Sequence, residues 1–358
     1  MENNADGVRP AVAEPEIVVG PSRSASLPPQ ARLLLMMSGA RIAGVVGAVA
    51  EFGIADLLGN GPLTVAEIAS ATGTDPQSME RLLRAAAAIG LLAVPPGGGY
   101  GATRLSDPLR ADAPGSVRAL VLYNGGSLVR RPWEELAYSV RTGKPAFERV
   151  FGVSFFDHLR HDPAAAESFD LAMTQMSAVS SAVFLDQYDF PRHKRVVDVG
   201  GGRGHFLAEI LRRGTGTSGV LLDQADVAAG AHEVLSVYEA SGRAEVVAGD
   251  FFREVPAGCD AYVLKNVLHD WADDDALRIL GVIRTAMGQD AVLLVCEDVL
   301  ASGGQWDHAA LLDIDMMLRL GGRERTLDQW KSLLAKAGLL LCREPRPGSR
   351  AVLECRAG

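Results

Sequence analysis

The chain has 358 residues, of which 48% are hydrophobic, and this length predicts two to three domains with packed cores. Its formal net charge of −9 argues against a general binder of nucleic acid, because affinity for polyanions comes largely from Lys and Arg side chains. The four cysteines stand far apart without a CxxC spacing, which argues against a zinc site or a disulfide framework and fits a reducing cytoplasm.

The N-terminus has neither a basic start nor an apolar signal-peptide core, and we expect no apolar run long and uncharged enough to span a bilayer. These observations predict a soluble, cytoplasmic protein without a membrane partner. Residues 1–29 are rich in Pro, Ser, Ala and Glu without apolar periodicity, which predicts a disordered tail.

Residues 30–105 carry the signals of a winged-helix module. Apolar residues first recur at helical spacing, and Thr64 followed by Glu67 then predicts a capping box at the start of a helix. The next helix begins at Pro76, and a turn of sequence PPGGG between two short apolar runs predicts a β-hairpin. Helix, turn, helix and hairpin in this order indicate a winged helix.

A winged helix can read DNA or pack against protein. A recognition helix carries basic and amide side chains to the base edges, whereas residues 78–89 offer only Arg81 and Arg84 amid alanines. We therefore expect a packing or dimerisation module and no nucleic-acid partner.

A helical region of about residues 116–188 follows the module. Its candidate residues are Asn124, Trp133, Phe156, Met173 and Met176. Met and aromatic residues at helical spacing usually form plain core. The alternative is a pliable wall around an aromatic substrate, and the sequence leaves both interpretations open.

From residue 195 onward, β-like runs alternate with helical runs, which predicts a parallel, doubly wound α/β sheet. The predicted strands are 196–199, 219–222, 245–248, 261–264, 291–297, 339–343 and 351–355. Sheets of this kind bind ligands at the carboxyl ends of their strands, and the polar signals of this sequence fall on those ends.

The first strand runs into a glycine turn, with the sequence VVDVGGGRG at residues 196–204. Its glycines let backbone approach a ligand, and the helix that follows has a positive N-terminal end. The dinucleotide fingerprint GxGxxG fails in both frames, because its third glycine would fall on His205 or Leu207.

Two further strand ends predict a nucleoside. Asp223 can accept hydrogen bonds from both hydroxyls of a ribose, and its alternative role is a helix N-cap. Asp250 and Phe251 offer an acceptor for an exocyclic amine and a face for stacking a base, although alone they could be an ordinary strand exit.

His269 lies just past the fourth predicted strand, where we favour a general base over a structural histidine. Glu297 and Glu324 could reach the same crevice. A carboxylate bonded to one ring nitrogen of His269 would fix the tautomer and leave the other nitrogen free to take a proton. The alternative for each glutamate is a surface salt bridge. We expect no metal, since His158 and His161 lack a third ligand nearby. No GxxxxGK motif supports ATP hydrolysis.

Together these elements resemble the S-adenosylmethionine-dependent class I O-methyltransferases, in the family of plant caffeate and flavonoid enzymes and bacterial antibiotic-tailoring enzymes. The resemblance covers nearly the whole chain after the tail. It rests on the winged-helix module and on the sequences DVGGGRG (198–204), GDF (249–251), KNVLHDW (265–271) and GGRERT (321–326).

The resemblance implies S-adenosyl-L-methionine as cofactor, His269 as base, and Glu297 and Glu324 as the acids that steady it. The implied cofactor contacts are Ser177, Gly200, Gly201, Gly202, Asp223, Asp250, Phe251 and Lys265. The predicted substrate-binding residues are Asn124, Trp133, Phe156, Met173, Met176, Asp270, Leu311, Asp315 and Met316. The implied architecture is a Rossmann-like methyltransferase sheet preceded by a helical, winged-helix dimerisation domain, in a homodimer.

The predicted domains are a tail (1–29), a dimerisation and substrate-wall domain (30–190) and a cofactor-binding catalytic domain (191–358). Ala225 stands where the family often has Pro, so the path of that loop is open. Met176 and Asp315 differ from the plant enzymes, which argues against a phenylpropanoid. The Ala- and Arg-rich composition and the extended tail resemble the bacterial branch, which favours an aromatic natural product methylated on a hydroxyl. The alternatives are N- or C-methylation on the same scaffold, or a non-catalytic winged-helix regulator.

Overall fold

The structure, a computed structural model, describes residues 27–304, 306–346 and 348–358. These residues form two compact units that divide between Gly125 and Gly126. The predicted tail falls almost wholly outside the described residues. The functional division at residue 190 stays a prediction, because compactness does not test it.

The first unit contains the predicted helices and hairpin. Its elements are α1 (Pro29–Met37), α2 (Gly39–Glu51), α3 (Ile54–Leu57), α4 (Val65–Thr72), α5 (Pro76–Ala88), β1 (Leu92–Ala93), β2 (Gly101–Ala102) and α6 (Arg118–Gly125). The capping box of Thr64 and Glu67 starts α4, and β1 pairs antiparallel with β2. The core of this unit includes Ile54, Ile68 and Leu83.

The expectation that no apolar run is long and uncharged enough to span a bilayer is wrong for this unit. Among the described residues, Pro29–Glu51 is a 23-residue stretch whose length and composition suit a membrane-spanning helix. It contains only Arg32, Arg41 and Glu51 as charged residues, and these leave a long apolar window. Length and composition alone are weak evidence for a membrane span, and Ser38 divides the stretch into α1 and α2.

The second unit is a sheet covered by helices. Its helices are α7 (Ser127–Glu134), α8 (Leu136–Thr142), α9 (Ala146–Phe151), α10 (Phe155–His161), α11 (Pro163–Gln187), α12 (His205–Arg213), α13 (Ala225–Ala240), α14 (Asp273–Ala286), α15 (His308–Arg319) and α16 (Leu327–Lys336). Its strands are β3 (Arg195–Val199), β4 (Ser218–Asp223), β5 (Ala244–Ala248), β6 (Ala261–Lys265), β7 (Val292–Leu300), β8 (Arg325–Thr326), β9 (Leu339–Leu341) and β10 (Ser349–Ala357).

The strand order is β5-β4-β3-β6-β7-β10-β9, with β8 paired to β7. Strands β3 to β7 are mutually parallel, but β10 is antiparallel to both β7 and β9. The prediction of an entirely parallel sheet is therefore wrong at its C-terminal end. The described residues of the loop between β9 and β10 form no helix, and a short loop can join only antiparallel neighbours.

Both faces of the central strands β3, β4, β6 and β7 are buried, which is why these strands read as nearly continuous apolar runs. On β3, Val197 packs in the core that includes Trp330 of α16, whereas the adjacent Val196 packs with Phe184 of α11 and Phe206 of α12. Helices on both faces fix the sheet, so the loops at the carboxyl ends of its strands start from rigid positions.

Candidate active site

The glycine turn after β3 is a cradle of bare backbone. Gly200 and Gly202 have φ of +70° and +59°, a region that side chains with a Cβ rarely adopt. A Cβ on Gly200 would lie 3.0 Å from the Val267 side chain, and one on Gly201 would lie 2.7 Å from the Asp198 carboxylate. The close approach that the sequence predicts is therefore available only to glycine.

Asp223, at the end of β4, is tied to this turn. Its Oδ2 accepts a hydrogen bond of 2.8 Å from the Gly202 N–H, and its Oδ1 accepts one of 2.7 Å from the Gln224 N–H. The N-cap of α13 is Gln224, so Asp223 does not hold the N-cap position that we weighed as its alternative. A carboxylate has about four lone-pair sites, so acceptor capacity remains.

Two ionisable side chains near the turn, Asp198 and Lys265, interact electrostatically. Asp198 is 1% exposed, burial raises its pKa to about 7, and its Oδ2 lacks a hydrogen-bond partner among the described residues. Burial lowers the pKa of Lys265, and the Asp198 charge opposes that change. The Lys265 ammonium also lies 5.6 Å from the centre of the Phe206 ring.

The third strand end contributes an aromatic face. A ring carbon of Phe251 would lie 3.5 Å from a Cβ on Gly200, so this ring borders the glycine turn. Asp250 accepts a hydrogen bond of 2.9 Å from the Phe252 N–H through Oδ1. The structure thus brings the turn and Phe251 together, as the nucleoside prediction requires.

His269 lies in a short 3-10 turn, Leu268–Asp270, and is 9% exposed. Its Nδ1 is 2.7 Å from Glu324 Oε1, and its Nε2 is 3.4 Å from Asp270 Oδ1. An ionised carboxylate only accepts hydrogen bonds, so Nδ1 carries the proton and Nε2 keeps the lone pair of the neutral ring. Burial disfavours the charged ring, but Glu297, Glu324 and Asp270 outweigh it and raise the pKa of His269 well above its ordinary value.

The two glutamates act on different parts of this turn. Glu324 bonds the ring, and its own N–H donates to Asp313 Oδ1 at 2.8 Å. Glu297 Oε1 instead accepts from the backbone N–H groups of Val267 and Leu268 at 3.0 and 2.9 Å, while its Oε2 is 3.5 Å from His269 Nδ1. Burial raises the pKa of Glu297 to about 7. Both glutamates are fully buried, so neither is the surface salt bridge considered as the alternative.

These three side chains also have the geometry of a metal site. Among the described residues, His269, Glu297 and Glu324 offer ligand atoms within 4.8 Å of one another. The hydrogen bond to Glu324 occupies His269 Nδ1, the ring nitrogen that faces both carboxylates. The absence of a metal stays a prediction.

The predicted acceptor residues fall into separate contacts. The Phe156 ring stacks on Trp271 with centroids 5.7 Å apart, and the Trp133 indole N–H donates to Asp315 Oδ1 at 2.9 Å. Asp315 is also paired with Arg319 on the same helix.

Further predicted residues lie on α11, on α15 and in the first unit. Met173, Met176 and Ser177 are half-buried on α11, where Ser177 Oγ is 3.2 Å from Ser181 Oγ. On α15, Leu311 is exposed and Met316 is buried, whereas Asn124 is exposed in the first unit.

Three residues that organise the site were not predicted from the sequence: Asp313, Arg319 and Arg325. Arg325 follows Glu324 directly in the GGRERT sequence, so its neighbourhood was visible. The burial of Arg325 was not visible in the sequence, because charged residues are rarely fully buried and a single sequence does not show which ones are.

Comparison with known proteins gives consistent matches. The O-methyltransferase domain family matches residues 133–340, and the O-methyltransferase dimerisation domain family matches residues 34–112. The chain is 40% identical to 8-amino-8-demethylriboflavin N,N-dimethyltransferase of Streptomyces davaonensis, over 88% of this chain and 92% of that protein. It is 35% identical to the phenazine O-methyltransferase PhzM of Lysobacter antibioticus, over 94% and 98%.

A solved structure is also similar. It is the O-methyltransferase NcsB1 from neocarzinostatin biosynthesis, in complex with S-adenosylmethionine and 2-hydroxy-5-methyl naphthoic acid. The TM-score is 0.75 at 38% identity, and the match covers 88% of this chain and 96% of that chain. The predicted fold class, a methyltransferase sheet after a helical dimerisation domain, is confirmed.

Proposed function

We propose, from the premise that this chain belongs to the S-adenosylmethionine-dependent O-methyltransferase family, that it methylates a phenolic hydroxyl of a small aromatic natural product or its precursor. In this proposal His269 is the general base and Glu324 and Glu297 orient it. The observation that carries the proposal is the 2.7 Å contact between His269 Nδ1 and Glu324 Oε1, which leaves Nε2 to take a proton. The family relationship makes the chain an enzyme and sets aside the non-catalytic regulator.

The cofactor is S-adenosylmethionine, and the residues at the strand ends fit its parts. We assign the methionine part to the backbone of Gly200, Gly201 and Gly202, because neighbouring side chains leave little or no room for a Cβ at the first two, and we assign the ribose to Asp223. When bound, the cofactor supplies a methyl group on a positively charged sulfur. We assign the remaining contacts to the other residues that the resemblance implies: Ser177, Asp250, Phe251 and Lys265.

The protein's task is to hold the acceptor oxygen and remove its proton. A phenol has a pKa of about 10 and unperturbed histidine about 6.5, so complete proton transfer before attack would be uphill by roughly 5 kcal/mol. The carboxylates around His269 raise its pKa and narrow this gap. Nε2 then takes the phenolic proton, and the Asp270 carboxylate, 3.4 Å away, stabilises the resulting imidazolium.

We assign the acceptor to a wall formed by the predicted residues of the second unit: Trp133, Phe156, Met173, Met176, Asp270, Leu311, Asp315 and Met316. Asn124, in the first unit, stays a predicted acceptor residue. Phe156 stacked on Trp271 offers a flat aromatic face, which suits a planar ring. The half-buried Met173 and Met176 offer adaptable apolar surface. These features support a small aromatic acceptor.

The test is incubation of the purified protein with S-adenosylmethionine and hydroxylated naphthoates, phenazines and quinones, followed by mass spectrometry. The first acceptor to try is 2-hydroxy-5-methyl naphthoic acid, which the solved relative binds. We expect one phenol to gain the mass of one methylene unit. Binding of S-adenosylhomocysteine without methylation of any phenol would contradict an oxygen acceptor.

N-methylation is the second candidate, because a relative at 40% identity is an N,N-dimethyltransferase. Paired acceptors that share a ring and differ only in a hydroxyl or an amino group separate the two candidates. Faster turnover of the amine member would favour nitrogen.

We also propose a cytoplasmic homodimer formed through the dimerisation domain. Helix α1 exposes Leu34, Met36 and Met37, each more than two-thirds exposed at 70%, 76% and 72%, a patch that a second copy would cover. Light scattering should give twice the mass of one chain, and Met36→Glu should reduce it to that of a monomer.

A further inference from the structure

Arg325 is a buried cation whose hydrogen-bonding capacity is fully used. It is 1% exposed, and its guanidinium lies 5.1 Å from the centre of the Trp330 ring. Guanidinium has five N–H donors in a fixed fork. Arg325 makes five hydrogen bonds, at 3.1 and 2.8 Å to Asp273 Oδ1, 2.9 Å to the Leu268 carbonyl, 3.0 Å to the Trp271 carbonyl and 3.3 Å to the Arg323 carbonyl.

These bonds connect the two loops that carry His269 and Glu324. One is the turn of residues 268–271, which carries His269, and the other is the loop of residues 321–326, which carries Glu324. The Arg323 N–H donates to the His269 carbonyl at 2.8 Å. A Cβ on Gly322 would lie 2.0 Å from that carbonyl oxygen, so the two loops approach as closely as backbone allows.

The turn is thus held from both sides of its backbone. Glu297 accepts from its N–H groups, and the 321–326 loop donates to its carbonyls through Arg325 and the Arg323 N–H. The imidazole of His269 is attached to the first of the two connected loops, and the carboxylate of Glu324 is attached to the second. Their separation therefore depends on the bonds between the loops.

We propose that Arg325 is a positioning residue that fixes the His269 imidazole against the Glu324 carboxylate. The inference deepens the proposed function and rests on it for the role of His269. Lysine cannot replace arginine here, because an ammonium has three donors around one point and cannot span the Leu268 and Trp271 carbonyls and Asp273 as a planar fork does. Asp273 compensates the buried charge.

The test compares Arg325→Lys with a matched control, Arg243→Lys. Arg243 also donates to backbone carbonyls, those of Leu211, Gly214 and Thr217, but it lies immediately before β5, outside the assigned site. Both variants lose an arginine that joins backbone segments, and both should lose thermal stability. Asp273→Asn removes the carboxylate partner of Arg325 and serves as a second variant if Arg325→Lys does not fold.

The deciding readout is the magnetic resonance spectrum of isotope-labelled histidine, with His269→Ala identifying the signal. We expect Arg325→Lys, and more weakly Asp273→Asn, to speed exchange of the Nδ1 proton of His269 and to lower the pKa of that ring toward its ordinary value. Arg243→Lys should change neither. Affinity for S-adenosylhomocysteine, measured by calorimetry, should stay at the wild-type value in all three variants.

The activity readout uses whichever phenol the wild type methylates. Since misplacement by 1 Å can cost about 10²-fold, kcat should fall by up to about that factor in Arg325→Lys with little change in KM. An unaltered His269 signal and kcat in a folded Arg325→Lys would overturn the proposal and leave Arg325 as an ordinary core residue. If the wild type methylates no phenol, the proposed function fails, while the histidine spectrum still decides whether Arg325 positions the ring.

Discussion

The proposed cofactor side and the proposed base side of this site are built in different ways. The cofactor side consists of backbone: glycines at positive φ, with Asp223 bonded to main-chain N–H groups. The base side consists of buried side chains from distant parts of the chain, His269, Glu297 and Glu324, and the charges of the two glutamates raise the pKa of His269. Cofactor binding should therefore be sensitive to substitutions that change the shape of the glycine turn, and turnover should be sensitive to substitutions that change the charges around His269.

The largest expected effect is on the base side. His269→Ala removes the proposed proton acceptor, and loss of a general base typically costs about 10²–10⁴-fold in rate. We expect kcat to fall within that range, while calorimetry gives the wild-type affinity for S-adenosylmethionine. A variant that binds the cofactor weakly but turns over at the wild-type rate once saturated would contradict the assignment.

The next effect is on the cofactor side. Gly200→Ala imposes a Cβ at φ +70° and 3.0 Å from Val267. The strain of this conformation is about 1–2 kcal/mol. If this strain is present in the cofactor-bound protein and relaxes in the free protein, the dissociation constant of the cofactor rises by about 5–30-fold. Gly216→Ala is the control, because its Cβ would meet nothing within 4 Å. Equal affinities in the two variants would show that the glycine turn does not bind the cofactor.

The smallest effect concerns a link between the glycine turn and α11. Arg203 and Asp170 form a partly exposed ion pair at 3.2 Å, and such pairs contribute about 0.2–1 kcal/mol. Arg203→Ala should weaken cofactor binding by a few-fold at most and leave the pH dependence of turnover unchanged. A large change in that pH dependence would show that the two sides are not independent.

The contrast also explains what the sequence could predict. The glycine turn, Asp223 and the strand ends are local patterns, because a turn that needs positive φ and a strand that ends at a polar residue are visible in neighbouring positions. The antiparallel direction of β10 was missed although the sequence carried a signal for it, because the residues between the predicted strands 339–343 and 351–355 are too few for the crossover that parallel neighbours need.

The acceptor side was only partly predictable for a different reason. Trp133 bonds Asp315 across 182 positions, and Arg325 bonds residues more than 50 positions away. Such long-range pairs leave no periodic signal in a single sequence. His269, Glu297 and Glu324 were selected because each lies near a strand end or in a motif, but the separate bond of Glu297 to the backbone of the turn required the structure.

The most direct test of the account is the pH dependence of kcat/KM, with the phenol that the wild type methylates, in the wild type and Glu324→Gln. The base must be neutral, and its pKa is raised, so wild-type activity should be low in acid and rise with pH to a half-maximum above about 6.5, the ordinary pKa of histidine. Glu324→Gln removes one of the charges that raise this pKa, so its half-maximum should lie at lower pH and its maximal rate should fall. An identical half-maximum in both proteins would contradict the claim that a histidine held by Glu324 is the base.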